Sequence, residues 1–246
     1  ALAPMTVEQF VEAVTQGQSV APLYFLFAAT KNRQAHDLFV DEKEVTKMSL
    51  EEVIAAQANG AVVIDSRDDM TFAAGHLRGS VNVGLSGRFA EYVGEVMDPG
   101  TAIVLIGEPG TDVEAKMRLA RIGFDNVLGA LNDPVRVFFE NPTVVEQQSR
   151  LSVDAFNERI SSMSNVVLVD IRNPGEVELG SIPKALHISL PSLLKRIDEL
   201  DKKAPLVVFC RGGYRSSIAS SLLKSHGFTD VSDLIGGYTA WTAAQA

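Results

Sequence analysis

Short apolar runs and longer segments of helical period alternate along this chain. The runs within GAVVID (60–65), TAIVLI (101–106), NVVLVD (165–170) and APLVVF (204–209) are rich in Val, Ile and Leu, as strands are when both faces of their sheet are covered. Between them, Ser49 to Asn59, Thr111 to Ile122, Val153 to Met163 and Ser216 to His226 repeat their apolar positions as one-sided helices do. Strands separated by helices predict an α/β fold, each sheet parallel with helices on both faces.

The pattern occurs twice. GAVVIDSRDDMTFAAGHLRGSVNVGL returns 105 positions later as NVVLVDIRNPGEVELGSIPKALHISL, with Asp65 and Arg67 matching Asp170 and Arg172. Further on, Gly123 and Phe124 match Gly227 and Phe228. Self-similarity at this spacing predicts two domains of one fold. We divide the chain into an N-terminal arm (1–45), a first domain (46–131), a linker (132–150) and a second domain (151–246). The linker carries Pro134 and Pro142 without a clear period, and is expected to pack through Val137, Phe138 and Phe139. In the arm, Thr6 and Gln9 form a capping-box pattern for a helix stopping near Gly17. Tyr24, Phe25 and Phe27 then need a surface to pack on, supplied by this chain's own domains, a dimer mate or a further domain of which the arm is a remnant.

Charge and composition narrow the function. A net charge of −9 argues against binding nucleic acid or an anionic membrane, both of which need a basic face. No apolar run is long enough to cross a bilayer, and the start ALAPMTVEQF lacks the regions of a secretion signal. A single cysteine cannot form an intramolecular disulfide, so a reducing, cytoplasmic setting is expected.

That cysteine, Cys210, ends an apolar strand and is followed by Arg211, Gly212, Gly213, Tyr214, Arg215, Ser216 and Ser217 at the start of a helix. Glycines let the backbone turn successive N–H groups inward, and a helix N-terminus adds partial positive charge there. Such a cradle, with Arg211 and Arg215 beside it, is expected to favour a thiolate and to hold an anion over it. Ser216 or Ser217 is placed to cap the helix. Tyr214 either shapes the mouth or is a surface aromatic without a role.

CRGGYRS resembles the active-site loop of the rhodanese family, Cys-Arg-x-Gly-x-Arg. Asp170, Arg172 and Glu176 resemble that family's first motif, and GGYTAW (236–241) its closing one. GSIPKA (180–185) departs from the family's usual Gly-His-Ile-x-Gly-Ala. The resemblance implies a sulfurtransferase without cofactor or metal. In it the Cys210 thiolate takes the outer sulfur of thiosulfate or a low-molecular-weight persulfide, and sulfite, cyanide or a thiol removes it, in sulfide oxidation or detoxification. Cys210 would be the nucleophile, the N–H groups from Arg211 to Ser216 would stabilise the persulfide anion, and Arg211 and Arg215 would orient an anionic donor. Asp170 and Arg172 would form a structural pair beneath the loop. The alternative is a carrier that delivers persulfide sulfur to a partner protein. Related cysteine phosphatases place five residues between Cys and Arg, one more than the loop from Cys210 to Arg215, so the smaller loop favours sulfur over phosphate.

The first copy has Ile106 where the second has Cys210, then Glu108 and Pro109, so no persulfide can form there. It resembles an inactive rhodanese domain with a structural or interfacial role, and His76 is read as a fold residue. The order of arm, silent copy and active copy resembles the C-terminal part of bacterial fusions in which a metallo-β-lactamase-fold persulfide dioxygenase precedes rhodanese domains. His36, His76, His187 and His226 are scattered, without the metal motif of such a dioxygenase.

Overall fold

The computed structural model describes residues 4–16, 22, 24–31, 33 and 44–245. Gly17 and His36 lie outside the described residues. Helices α1 (Val7–Thr15) and α2 (Tyr24–Lys31) form the arm. Strand β1 (Lys47–Met48), α3 (Leu50–Ala58), β2 (Val62–Asp65), α4 (Asp69–Ala74), β3 (His76–Leu77), β4 (Val81–Asn82), α5 (Phe89–Val96), β5 (Ile103–Ile106), α6 (Asp112–Ala120), β6 (Val127–Leu131) and α7 (Pro134–Glu140) follow. After β7 (Val145–Glu146) come β8 (Ser149–Leu151), α8 (Val153–Ser162), β9 (Val167–Asp170), α9 (Pro174–Val177) and β10 (Leu186–His187). Then β11 (Leu206–Phe209), α10 (Tyr214–Ser225), β12 (Val231–Leu234) and α11 (Gly237–Ala243) complete the chain.

Two parallel five-stranded sheets have the same order, β1-β6-β5-β2-β4 and β8-β12-β11-β9-β10. The central strands β5 and β11 are buried along their whole length, which is why they read as unbroken apolar runs. In the second sheet the chain steps outward from β9 to β10 and returns to place β11 on the other side of β9. This reversal opens a crevice at the carboxyl ends of β9 and β11, where ligands bind in open α/β sheets.

The segment read as a linker has structure of its own. α7 follows β6 as α11 follows β12, each capped by a left-handed residue, Asp133 (φ 48°) and Gly236 (φ 71°). Pro134 occupies the first turn, where its missing N–H costs nothing. Val137 and Phe138 pack on the first domain's core, but Phe139 points to solvent at 86% exposure. β7 pairs antiparallel with β3.

In the arm, Thr6 and Gln9 form the expected reciprocal cap. The α1 helix has no buried residue, whereas Tyr24 of α2 packs on α5 at Gly94, where a Cβ would overlap its ring. Phe25 is exposed.

The two domains share one apolar core. Val81, Val83, Phe89 and Val93 of the first domain join Leu190, Leu193, Ile218 and Leu222 of the second in a single cluster. α10 lies between its own strands and the edge strand β4, which explains why Ser216, Ser217, Ser220 and Ser221 are all buried. Small side chains allow the close approach, and Asn82 satisfies two of them. Ser217 Oγ donates to Asn82 Oδ1 at 2.9 Å, and the Asn82 N–H donates to Ser221 Oγ at 2.9 Å.

Candidate active site

Cys210 follows β11 at the crevice, 2% exposed, with its sulfur directed into the loop. The Gly213 N–H donates to Cys210 Sγ at 3.1 Å, and Ser216 Oγ lies 3.6 Å from it. Gly213 has φ 108°, a conformation that L side chains rarely adopt. It caps α10, which begins at Tyr214, so the cap lies three residues before Ser216 and four before Ser217, the caps expected from sequence. Ser216 instead donates to the Gly213 carbonyl at 2.9 Å.

The loop carbonyls of Cys210 and Arg211 point away from the sulfur. The N-terminus of α11 receives them: Tyr238 N–H donates to Cys210 O at 2.7 Å and Thr239 N–H to Arg211 O at 3.1 Å. Gly237 (φ 57°) makes this approach feasible, because a Cβ there would meet the Cys210 carbonyl oxygen and both carbonyl atoms of Arg211 at under 3 Å. The closing motif GGYTAW therefore holds the loop from behind.

The two arginines differ. Arg211 is exposed, whereas Arg215 is bound by Glu176 of α9 through two bonds of 2.7 and 2.8 Å. Burial opposes the Arg215 charge, but Glu176 and Cys210 outweigh it and hold the guanidinium above its ordinary value. Arg215 in turn holds Glu176 below the usual carboxylate range. Arg215 thus belongs to an ion pair, whereas Arg211 shows no ion pair among the described residues.

Beneath the loop, Arg172 forks onto Asp170 with bonds of 2.9 and 2.6 Å, donates to Gly180 O at 2.7 Å and lies 4.2 Å from the Tyr238 ring centroid. Both members are buried, and they join the end of β9 to α11. The first copy repeats the arrangement with Arg67, Asp65, Gly75 O and the Phe138 ring. In the GSIPKA turn, Ser181 Oγ donates to Asp170 Oδ2 at 2.6 Å, and Lys184 adopts φ 68° where the first copy has Gly79 at φ 77°.

Tyr214 is not a surface aromatic. Its hydroxyl donates to Gly84 O, with Ser86 O 3.3 Å away, and its ring lies 5.3 Å from that of Tyr92 on α5. The first domain also reaches the loop through charge. Arg150 bridges Asp69 of α4, at 2.9 Å, and the buried Asp233, at 3.0 Å, and Asp233 Oδ2 lies 3.4 Å from Ser216 Oγ. Burial pushes Asp233 up, against the pull of Arg150. Sequence reasoning missed Tyr92, Arg150 and Asp233, since nothing local in sequence ties them to residue 210. In the first copy, Ile106 fills the position of Cys210, fully buried. Among the described residues no three metal-ligating side chains gather, and no helix is long and apolar enough to cross a membrane.

A topological switch point, a cysteine whose sulfur accepts from the Gly213 N–H and a duplicated fold define a two-domain α/β protein with a single cysteine at the carboxyl end of its central strand β11. The model of the rhodanese-like domain matches residues 49–132 and 152–244, so the chain belongs to the rhodanese-like family. It is similar to a sulfurtransferase of Allochromatium vinosum, 34% identical over 93 residues, covering 38% of this chain and 87% of that protein. It is also similar to the thiosulfate sulfurtransferase GlpE of Coxiella burnetii, 34% identical over 79 residues, covering 32% of this chain and 74% of that protein. The putative sulfur carrier protein YrkF of Bacillus subtilis is 32% identical over 92 residues, covering 37% of this chain and 50% of that protein.

Proposed function

We propose that this rhodanese-type protein moves a sulfane sulfur from thiosulfate or a low-molecular-weight persulfide to sulfite, cyanide or a thiol through a persulfide on Cys210. The observation that carries the reading is the Gly213 N–H 3.1 Å from Cys210 Sγ, in a loop whose carbonyls are held away by α11. In the first step the Cys210 thiolate attacks the outer sulfur of thiosulfate. A sulfur–sulfur bond forms to the cysteine, the bond to the sulfonate sulfur breaks, and sulfite leaves with its electron pair. The terminal sulfur then carries the negative charge, and fixed backbone N–H donors stabilise it without reorganising. In the second step the acceptor attacks that sulfur and the thiolate returns.

Arg211 draws an anionic donor to the mouth. Glu176 fixes Arg215 in place, and Asp170 and Arg172 support the loop from below. The silent domain acts as a wall and brace, through Tyr214 and the Asp69–Arg150–Asp233 chain. We place the reaction in sulfide oxidation or detoxification in the cytoplasm. Incubation with thiosulfate and cyanide should yield thiocyanate, and Cys210→Ala should abolish it. Undiminished thiocyanate production by that variant would rule out the nucleophile. The similarity to a putative sulfur carrier supports a second reading, a protein that loads Cys210 yet passes sulfur slowly to small acceptors and quickly to a partner protein.

A further inference from the structure

The thiol of Cys210 is shut off from water on its inner side: Cys210 is 2% exposed, and Ser216 and Asp233 are fully buried. A proton leaving such a thiol needs an acceptor inside the fold. Arg215 is already cationic and the Gly213 N–H can only donate, so neither can take it. Ser216 Oγ, 3.6 Å from the sulfur, is placed to accept from the S–H, and Asp233 Oδ2 stands 3.4 Å from that hydroxyl. Arg150 of β8 fixes Asp233 with bonds of 3.1 Å to Oδ1 and 3.0 Å to Oδ2, and it also holds Asp69 of α4 at 2.9 Å. Arg150 therefore keeps one carboxylate partner when Asp233 takes up a proton.

We propose that Asp233 is the proton acceptor for Cys210, reached through the hydroxyl of Ser216. The inference rests on the sulfur-transfer reading above and supplies the step that readies the nucleophile. The thiol proton passes to Ser216 Oγ as the hydroxyl's own proton passes to Asp233 Oδ2. The S–H bond breaks with its electron pair left on sulfur, an O–H bond forms on the carboxylate, and Ser216 ends unchanged. At rest the hydroxyl donates to the Gly213 carbonyl at 2.9 Å, so it turns toward Asp233 as it accepts from the thiol. Catalytic hydrogen bonds are often long before substrate binds and tighten in the complex. Burial pushes the Asp233 carboxyl up against the pull of Arg150, which makes it a better holder of the proton. Asp233 is faced by Arg150 and Gln148, by Ser216 from α10 and, through charge, by Asp69. Cys210 is faced by Ser216 and the Gly213 N–H and, through charge, by Arg215 and by Tyr92 of α5. Ser216 touches the reacting sulfur, and Asp233 acts on it only through Ser216.

The test is the rate at which iodoacetamide alkylates Cys210, read by intact mass from pH 5.5 to pH 9 on the full chain and on its Asp233→Asn, Ser216→Ala and Ser216→Thr variants. Cys210 is the only cysteine in the sequence, so the added mass reports its thiolate. A carboxylate that is merely a nearby charge disfavours the thiolate by repulsion, so its loss would speed alkylation in weak acid. Loss of a proton acceptor has the opposite sign. At pH 6, Asp233→Asn and Ser216→Ala should be slower than the parent by roughly a hundredfold, the lower end of what a positioned base contributes, and Ser216→Thr, which keeps the hydroxyl, should recover most of that loss. By pH 9, where hydroxide takes the proton, the rates should converge. Asp233→Asn alkylated at pH 6 as fast as the parent, or faster, would overturn the relay while leaving sulfur transfer intact. Should that variant fail to fold, the serine variants decide, and Ser216→Ala as fast as the parent overturns the relay equally. If thiosulfate places no sulfur on Cys210 of the parent chain, the sulfur-transfer reading falls and the relay falls with it.

Discussion

Replacing Gly237 by Ala tests whether the loop is held from behind. The residue sits at φ 57°, where an L side chain costs roughly 1–2 kcal/mol. Its new Cβ would lie 2.9 Å from the Arg211 carbonyl carbon and oxygen, and closer still to the Cys210 carbonyl oxygen. These are backbone atoms, so no rotamer change relieves the contact, and the loop must withdraw by about 1 Å to restore van der Waals separation. Withdrawal lengthens the Tyr238 and Thr239 bonds to Cys210 and Arg211 and moves the Gly213 N–H relative to the sulfur. A misplacement of about 1 Å typically costs about a hundredfold in rate. Gly212 is the internal control, because a Cβ there meets open space and its φ is not positive. Single-turnover loading of sulfur from thiosulfate, followed by stopped-flow sulfite release, should show Gly237→Ala slower by about two orders of magnitude and Gly212→Ala within a few-fold of the parent. Equal rates for the two variants would refute the claim that α11 shapes the cradle.

Other outcomes follow from single contacts. Tyr214→Phe removes the hydroxyl that bonds to Gly84 and Ser86 and should lower unfolding stability by about 1 kcal/mol in urea melts, the usual net value of one hydrogen bond. Lys184→Gly relieves a left-handed lysine at φ 68° and should raise stability by roughly 0.5–1 kcal/mol, partly offset by the freer unfolded chain; an unchanged or lower Tm would contradict it. Glu146 is held down to about 2, first by its hydrogen bond with His76, then by the Gly79 N–H and Lys224. Its stabilisation is therefore present above the ordinary carboxylate value and lost as pH falls toward 2. Glu146→Gln should flatten that acid limb, by about 1 kcal/mol once solvent screening is allowed for, as read from urea melts between pH 2.5 and pH 6.

The sheets and the loop were legible in the sequence because each rests on local chemistry. Buried central strands such as Leu206–Phe209 must be apolar throughout, and a sulfur cradle needs glycine where φ is positive, as at Gly213. The helix Pro134–Glu140 within the linker is hard to see in the sequence because its left-handed cap is Asp133, where the second copy has Gly236. Phe139 was expected to pack and does not, since α7 offers its neighbours Val137 and Phe138 to the core instead. The contacts of Tyr92 and Asp69 depend on domain packing between residues far apart in sequence, which leaves no periodic or motif signal near Cys210. Tyr214 is equivocal in the sequence for the same reason, its partner carbonyls belonging to the first copy.

The central claim is that the sulfur is carried on Cys210. Intact-mass spectrometry of the full chain after brief exposure to thiosulfate, followed by peptide mapping, tests it most directly. The account predicts a gain of one sulfur atom, located on the peptide containing Cys210, lost on adding cyanide and absent from Cys210→Ser. Thiocyanate turnover with no sulfur ever found on that peptide, or turnover that persists in Cys210→Ser, would contradict it.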